Sequence, residues 1–276
     1  MSLARGLLLA CHPLPTIAVT VISGGLAAAV GLPVATAALL VAAVLTGQLS
    51  IGWSNDLIDA ERDRRAGRTD KPLAVGGVDR RLTMVATGVA VLATVALSAV
   101  LGLPAGLAAL LIVVCGGAYN FGVRSTVLSF LPYAVAFGIL PATATLALPE
   151  HPWPAWWAMS AGAMLGVAAH LVNVLPDLVA DAQNGIRGLP HRLGARPAAT
   201  TGLLLVLAAA AVLLFGPTGP VAVWRWIAFG VLLVVGLGAT TVLRQPGDRR
   251  LFGVLIAGAT VDVLLFAASG TSLLRS

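Results

Sequence analysis

Ser54-Asn-Asp-Leu-Ile-Asp-Ala-Glu-Arg-Asp-Arg-Arg-Ala-Gly-Arg-Thr-Asp-Lys-Pro72 is an island of charge in a very apolar chain. It holds five of the 11 acidic residues (Asp56, Asp59, Glu61, Asp63, Asp70) and five of the 17 basic ones (Arg62, Arg64, Arg65, Arg68, Lys71). Charge needed only for solubility would be scattered over many loops. Its concentration here points to a site for something polar and multiply charged, with the rest of the chain as housing.

Outward from that stretch, the 276 residues are 58% hydrophobic and 10% charged, with a mean hydropathy of +0.96. A soluble domain carries roughly 25% charge, so the composition is that of an integral membrane protein. The apolar runs are helix-sized, about 20 residues, and not the ~10-residue alternating segments of a barrel. Charge-free runs predict an all-α protein with nine spanning helices over 14–30, 33–53, 82–101, 104–122, 127–148, 154–175, 198–215, 221–243 and 251–270, in one domain covering 1–276. Breakers fill the short gaps: Gly31 and Pro33, Gly102 and Pro104, Pro149 with Pro152 and Pro154, and Gly216-Pro217 with Gly219-Pro220.

The alternate gaps hold the charge. Fifteen of the 17 Lys and Arg fall on one side of such a bundle, leaving Arg225 and Arg275 on the other. The positive-inside rule then expects the N-terminus and charged loops in the cytoplasm and, after an odd number of crossings, the C-terminus outside. The net charge of +6 is thus a matter of topology, and no nucleic-acid partner is expected. Cys11 and Cys115 sit in apolar sequence and read as buried thiols without a disulfide. Arg5-Gly-Leu-Leu-Leu-Ala-Cys11 resembles a short signal peptide. Its apolar core is at most six residues, below the roughly 7 to 15 of such regions, so the first helix is expected to be retained.

Asn55, Asp59, Asp63 and Gly67 recur as Asn173, Asp177, Asp181 and Gly185, each displaced by 118 residues. Four expected helices separate the copies, so the repeat is parallel: two four-helix halves plus a ninth helix, facing each other across a central, lipid-open cavity. Asp56, Asp59 and Asp63 are spaced i, i+3, i+7, and Asn173, Asp177 and Asp181 i, i+4, i+8, so each set is expected on one helical face. Carboxylates crowded at a helix C-terminus oppose the dipole and each other unless a cation lies among them. Hard oxygen donors without cysteine suit magnesium, which keeps waters and is completed by phosphate oxygens of a substrate. Arg64, Arg68 and Lys71 follow the first set, Arg124 the fourth helix and Arg187 the second set. Metal and bases together suit a diphosphate, and the apolar bundle suits its hydrocarbon tail. The plain alternative, a solvated topogenic loop, is retained for Arg80, Arg81, Arg249 and Arg250.

Asn55-Asp56-x2-Asp59-x3-Asp63 with its trailing Arg-Thr-Asp-Lys-Pro-Leu, and Asp177-x3-Asp181 with Gly-Ile-Arg-Gly-Leu-Pro-His-Arg-Leu-Gly, resemble the two aspartate-rich signatures of the UbiA-type intramembrane prenyltransferases. Tyr119-Asn-Phe-Gly-Val-Arg124 is similar to the tyrosine and basic motif after that family's fourth helix. The motifs span residues 11 to 194. The resemblance implies two magnesium ions bridging Asp56, Asp59, Asp63, Asp177 and Asp181 to an isoprenyl diphosphate. The diphosphate ionises to an allylic cation captured by an apolar, in the first instance aromatic, acceptor. Where the family's second motif often begins Asn-Asp, this chain has Asn173-Val174, one carboxylate fewer.

Asn55 and Asn173 join the expected substrate contacts. Tyr119 is the foremost aromatic for shielding a cation, with Trp53, Phe121 and Tyr133 as further candidates. His170 shares a face with Asn173, Asp177 and Asp181, and suits an acceptor-binding or proton-accepting role or a structural hydrogen bond. His12 is a weaker candidate, His191 is expected in a solvated loop, and Gln48 is placed to face the cavity. Asp262, about eleven residues into the ninth helix, is a functional or a paired intramembrane carboxylate; Arg225 reads as snorkelling. Two other functions share parts of this reading. A membrane terpene cyclase would use the same ionisation with intramolecular capture. A cation-coupled transporter would need its carboxylates near the midplane, where only Asp262 is expected.

Overall fold

The computed structural model describes residues 2–183, 185–218, 221–242, 258, 261 and 270–274. Among them the chain is all helical: α1 Leu3–Ala10, α2 Pro13–Ala29, α3 Val34–Arg65, α4 Arg80–Leu101, α5 Leu103–Asn120, α6 Leu131–Thr145, α7 Trp156–Val174, α8 Leu178–Gln183, α9 Leu189–Leu193, α10 Ala195–Phe215 and α11 Val223–Val242, with short 3₁₀ turns at Val123–Ser125, Val127–Phe130, Leu175–Asp177 and Gly270–Leu274. Six segments are long and apolar enough to cross a bilayer, and α1 with α2, bent by 70°, make a seventh if taken as one span. The ninth expected helix, 251–270, lies outside the described residues except for 258, 261 and 270, and Asp262, Arg244, Arg249, Arg250 and Arg275 lie outside them too. The described residues therefore carry six or seven spans, not nine.

The long apolar side chains face outward. On α4, Val85, Val89, Leu92 and Val100 are each more than 60% exposed, as suits a lipid-facing surface. The interior is built from small residues and Leu, with Ala105, Ala142, Ala144, Ala158, Ala161, Ala209 and Ala210 all nearly or fully buried. Lipid supplies no hydrophobic drive between helices, so close backbone approach has to come from small side chains. Gly162 and Gly166, one turn apart on α7, meet the carbonyls of Phe137 and Tyr133 on α6, and a Cβ at either would collide with them. That contact fixes α6 against α7.

Two boundaries differ from expectation, each for a physical reason. α3 does not stop at residue 53. At 32 residues and ~1.5 Å per residue it outreaches the ~30 Å hydrocarbon core, so its last turns project beyond it. Nothing between Trp53 and Arg65 breaks a helix, and Arg62, Arg64 and Arg65 complement the negative end of its dipole. The second acidic stretch is instead broken. Pro176 has no N–H to continue α7, so Asn173 ends up on α7, Asp177 in a 3₁₀ turn and Asp181 on α8. The three thus lie on three successive elements and not on one continuous α-helix.

The repeat survives where each acidic helix ends. Gly67 and Gly185 both take a left-handed conformation, φ 66° and 81°. Arg68 N–H donates to the Asp63 carbonyl at 3.0 Å and Ile186 N–H to the Asp181 carbonyl at 2.9 Å, while Gly67 and Gly185 N–H donate to Arg64 and Ala182. Both copies thus close with the same Schellman cap.

Candidate active site

The projecting end of α3 places its three aspartates in the interior, with Asp56, Asp59 and Asp63 exposed by only 2%, 6% and 8%. A buried carboxylate without a partner would be costly, and two of the three are paired. Asp59 receives a bidentate bond from Arg124, at 2.7 Å from Nη1 and 2.5 Å from Nη2, and a further contact from Arg62 at 2.8 Å. Asp56 Oδ1 accepts from Lys71 Nζ at 2.9 Å and lies 3.3 Å from His12 Nε2, which is itself 3.2 Å from Lys71 Nζ. Asp56 Oδ2 is buried with no partner. Among the described residues Asp63 makes no ion pair; it lies in the field of Lys71, Asp59, Arg62 and Arg68.

Arg68 ties the halves together. Its Nη1 donates to Asp177 at 3.4 Å, across 109 residues of sequence, while Nε and Nη2 both donate to Asp70 at 2.8 Å. That fork holds the Asp70 carboxyl down to about 2. Asp181 lies 3.8 Å from His191 Nε2, and its pKa is raised by burial and next by the neighbouring charge of Asp177. Burial opposes the charge on Arg124, but its hydrogen bonds to Asp59 outweigh this and raise its pKa.

The chain elements explain these placements. The elbow between α1 and α2 puts His12 in a left-handed conformation, φ 55°, and brings its ring to Asp56. Gly52 lets α3 pass against the Cys11 carbonyl at that elbow, where a Cβ would not fit. The turn after α5 delivers Arg124 to Asp59. Asn55 Nδ2 donates to Asn120 Oδ1 at 3.1 Å, and Asn120 Nδ2 in turn bonds the Ile51 carbonyl and Ser54 Oγ, which locks α5 to α3 at the level of the aspartates.

A second, aromatic group lies where α5, α6 and α7 converge. Tyr119 and Tyr133 meet edge to face with ring centroids 5.1 Å apart, and the His170 ring is 5.6 Å from Tyr119 and 5.0 Å from Tyr133. Tyr119 lies within electrostatic reach of Arg124, Asp181 and Asp59, so the aromatic and ionic groups adjoin. His170 is 1% exposed; its Nε2 is 3.0 Å from Ser129 Oγ and its Nδ1 has no partner.

Of the residues expected from sequence, Asp56, Asp59, Asp63, Lys71, Arg68, Arg124, Asp177 and Asp181 fall in this region, with Asn55, Tyr119 and His170 beside them. Arg64 does not join them: it bonds Glu61 at 2.7 Å and lines a cleft of about 320 Å³ with Gly76, Val78 and Arg80. Arg187 and Asn173 are exposed and make no side-chain bond among the described residues. Trp53 is structural, its Nε1 donating to the Leu7 carbonyl at 2.8 Å, and Phe121 is 79% exposed. Sequence reading ranked His12 too low and passed over Asn120, Ser129 and Arg62. Only Asn120 carried a signal, as a polar residue closing an apolar helix. Among the described residues no three His, Cys, Asp or Glu side chains are gathered closely enough to hold a metal ion; Asp56 is paired with Lys71 and His12, and Asp59 with Arg124 and Arg62.

Comparison with known proteins bears on the whole fold. The chain superposes on a UbiA homologue from Archaeoglobus fulgidus bound to GPP and Mg2+, with a TM-score of 0.74 at 15% identity over 98% of this chain and 100% of that one. It superposes likewise on a UbiA homologue from Aeropyrum pernix K1, TM-score 0.70 at 18% identity over 98% and 99%. A digeranylgeranylglyceryl phosphate synthase gives 0.71 at 14% identity over 98% and 99%. At these identities the likeness is one of fold. No curated protein sequence matches the chain significantly. The model of the UbiA prenyltransferase family matches residues 16–269, nearly the whole chain and both aspartate stretches, and the chain belongs to that family.

Proposed function

We propose that this membrane enzyme transfers an isoprenyl group from an isoprenyl diphosphate to an apolar, aromatic acceptor at the cytoplasmic side of the bilayer, with magnesium. The observation that carries the reading is the meeting of both aspartate stretches with Arg68, Lys71 and Arg124 beside the Tyr119, Tyr133 and His170 rings. Archaeoglobus fulgidus homologues of the same fold bind GPP with Mg2+ and DMAPP with Mg2+, which supports the substrate class.

The donor set fits magnesium: all carboxylate oxygens, one of them, Asp56 Oδ2, buried and unpartnered. Asp56, Asp59, Asp63, Asp177 and Asp181 would hold two ions. Magnesium, when bound, would supply positive charge that offsets the charge growing on the departing pyrophosphate. Arg124, Lys71 and Arg68, which now neutralise the aspartates, are in place to donate to phosphate oxygens. Because that charge grows as the carbon–oxygen bond breaks, these donors stabilise the transition state more than the ground state. Tyr119 and Tyr133 offer ring faces to the allylic cation, and the buried α5–α6–α7 interface keeps water from it.

Nine crossings with the N-terminus and charged loops cytoplasmic and the C-terminus outside belong to the same proposal. Membranes or purified protein given geranyl, farnesyl and geranylgeranyl diphosphates with magnesium, with and without phenolic acceptors, test it by mass spectrometry. Acceptor-dependent pyrophosphate release and a prenylated product are expected. Cyclic hydrocarbon formed without an acceptor would establish cyclisation instead, and cation-coupled uptake with no turnover would establish transport.

A further inference from the structure

His170 is the most deeply buried polar side chain of the aromatic group, and its hydrogen bonding can be followed atom by atom. Ser129, 0% exposed, accepts from the Leu189 amide at 2.9 Å. Among the described residues the acceptor within reach of its hydroxyl hydrogen is His170 Nε2, at 3.0 Å, in the tautomer that leaves this nitrogen bare. A neutral imidazole that accepts at Nε2 carries its proton on Nδ1. In that tautomer Nδ1–H is a donor, in a side chain 1% exposed, with no acceptor among the described residues. Leaving such a donor unmet in an interior costs free energy, and the ring that carries it packs against the Tyr119 and Tyr133 rings.

The chain holding that tautomer is rigid. Gly188 packs so closely on the Arg124 carbonyl and on Ser129 that a Cβ would meet both, which fixes the Leu189 amide over Ser129. The same loop residue thereby ties the Arg124 end of the ionic group to the His170 end of the aromatic group. Gly162 and Gly166 hold α7 against α6 and bring His170, the next residue of that spacing, up to Tyr133.

We propose that His170 recognises the acceptor by donating an Nδ1–H hydrogen bond to an acceptor oxygen, a carbonyl or the lone pair of a hydroxyl, while the acceptor's apolar body lies against the Tyr119 and Tyr133 pair. Ser129 and the Leu189 amide are the positioning groups that keep the donor form. This reading rests on the proposed transfer reaction and narrows its acceptor to an oxygen-bearing one.

The test uses the full-length protein in lipid nanodiscs, labelled with ¹⁵N-histidine, and two probes of matched shape, 2-acetylnaphthalene and 2-ethylnaphthalene. The His170 signals, assigned by their loss in His170→Gln, are expected to show a protonated Nδ1 and a bare Nε2. The acetyl probe is expected to shift the Nδ1 signal and the ethyl probe to leave it. His170→Gln, whose amide reaches towards the Nε2 position, should weaken acetyl-probe binding at least tenfold. His170→Asn, whose amide nitrogen falls near Nδ1, should stay within threefold of wild type. A proton found on Nε2, equal responses to the two probes, or equal losses in the Gln and Asn variants would each overturn the proposal and leave His170 a packing residue. Failure of the transfer reaction reads differently: no prenylated product forms although the Nδ1 signal still responds to the acetyl probe.

Discussion

Asp59 and Asp177 occupy equivalent places in the 118-residue repeat, yet their surroundings differ. Asp59 is buried and gripped by Arg124 and Arg62, whereas the Asp177 side chain is 47% exposed and touches Arg68 at 3.4 Å. Removing one partner of a buried pair leaves an uncompensated charge and costs about 3 kcal/mol; an exposed pair, screened by solvent, is worth less than about 0.5 kcal/mol. Both carboxylates are nonetheless assigned to magnesium. Asp59→Ala is therefore expected to lose magnesium-dependent geranyl diphosphate binding together with about 3 kcal/mol of stability in denaturant unfolding. Asp177→Ala should lose binding while unfolding like wild type. Binding that persists in the folded Asp177→Ala protein would remove this residue from the site.

At the scale of the element, the decisive features are where the helices stop. α3 carries its aspartates past the hydrocarbon core because only Gly67 ends it, and α7 sheds Asp177 into a turn because Pro176 interrupts it. Both acidic segments close on a left-handed glycine that aligns the following basic residues. A Cβ at such a φ costs about 1 kcal/mol or somewhat more. Gly67→Ala and Gly185→Ala should each lower unfolding stability by about that amount. Because Arg68 follows Gly67 directly, Gly67→Ala should also weaken diphosphate binding severalfold, measured by titration calorimetry; unaltered affinity would show that the cap does not position Arg68.

For the whole molecule, the sidedness of the charge supports the proposed orientation, with the charged loops cytoplasmic. With native Cys11 and Cys115 replaced by Ala, a lone cysteine at position 65 should react with a membrane-impermeant thiol reagent only from the cytoplasmic face, and one at position 275 only from outside. Labelling of both from one face would mean an even number of crossings. Apolar bulk turned to lipid and Gly and Ala turned inward let the helices approach closely. That approach lets an ionic group from α3, the turn after α5 and the Leu175–Gln183 region meet an aromatic one from α5, α6 and α7.

The membrane class, the helical build, the paired aspartate stretches and the diphosphate-type charge around them were all legible in the sequence. They depend on composition and on spacings within a few turns, and the bilayer permits few alternatives for an apolar run. The identity of each partner was not. Asp56 meets His12 across 44 residues through an elbow, Asp59 meets Arg124 rather than the nearer Arg64, and Arg64 turns away to Glu61. Ser129, Asn120 and Arg62 gave little notice because their roles come from what faces them. Sequence by itself determined what kinds of groups the site holds, since local charge and hydropathy are properties of the chain. Only the tertiary structure decided which groups touch, because hydrogen bonds and ion pairs act over about 3 Å and the helix packing alone sets who comes that near.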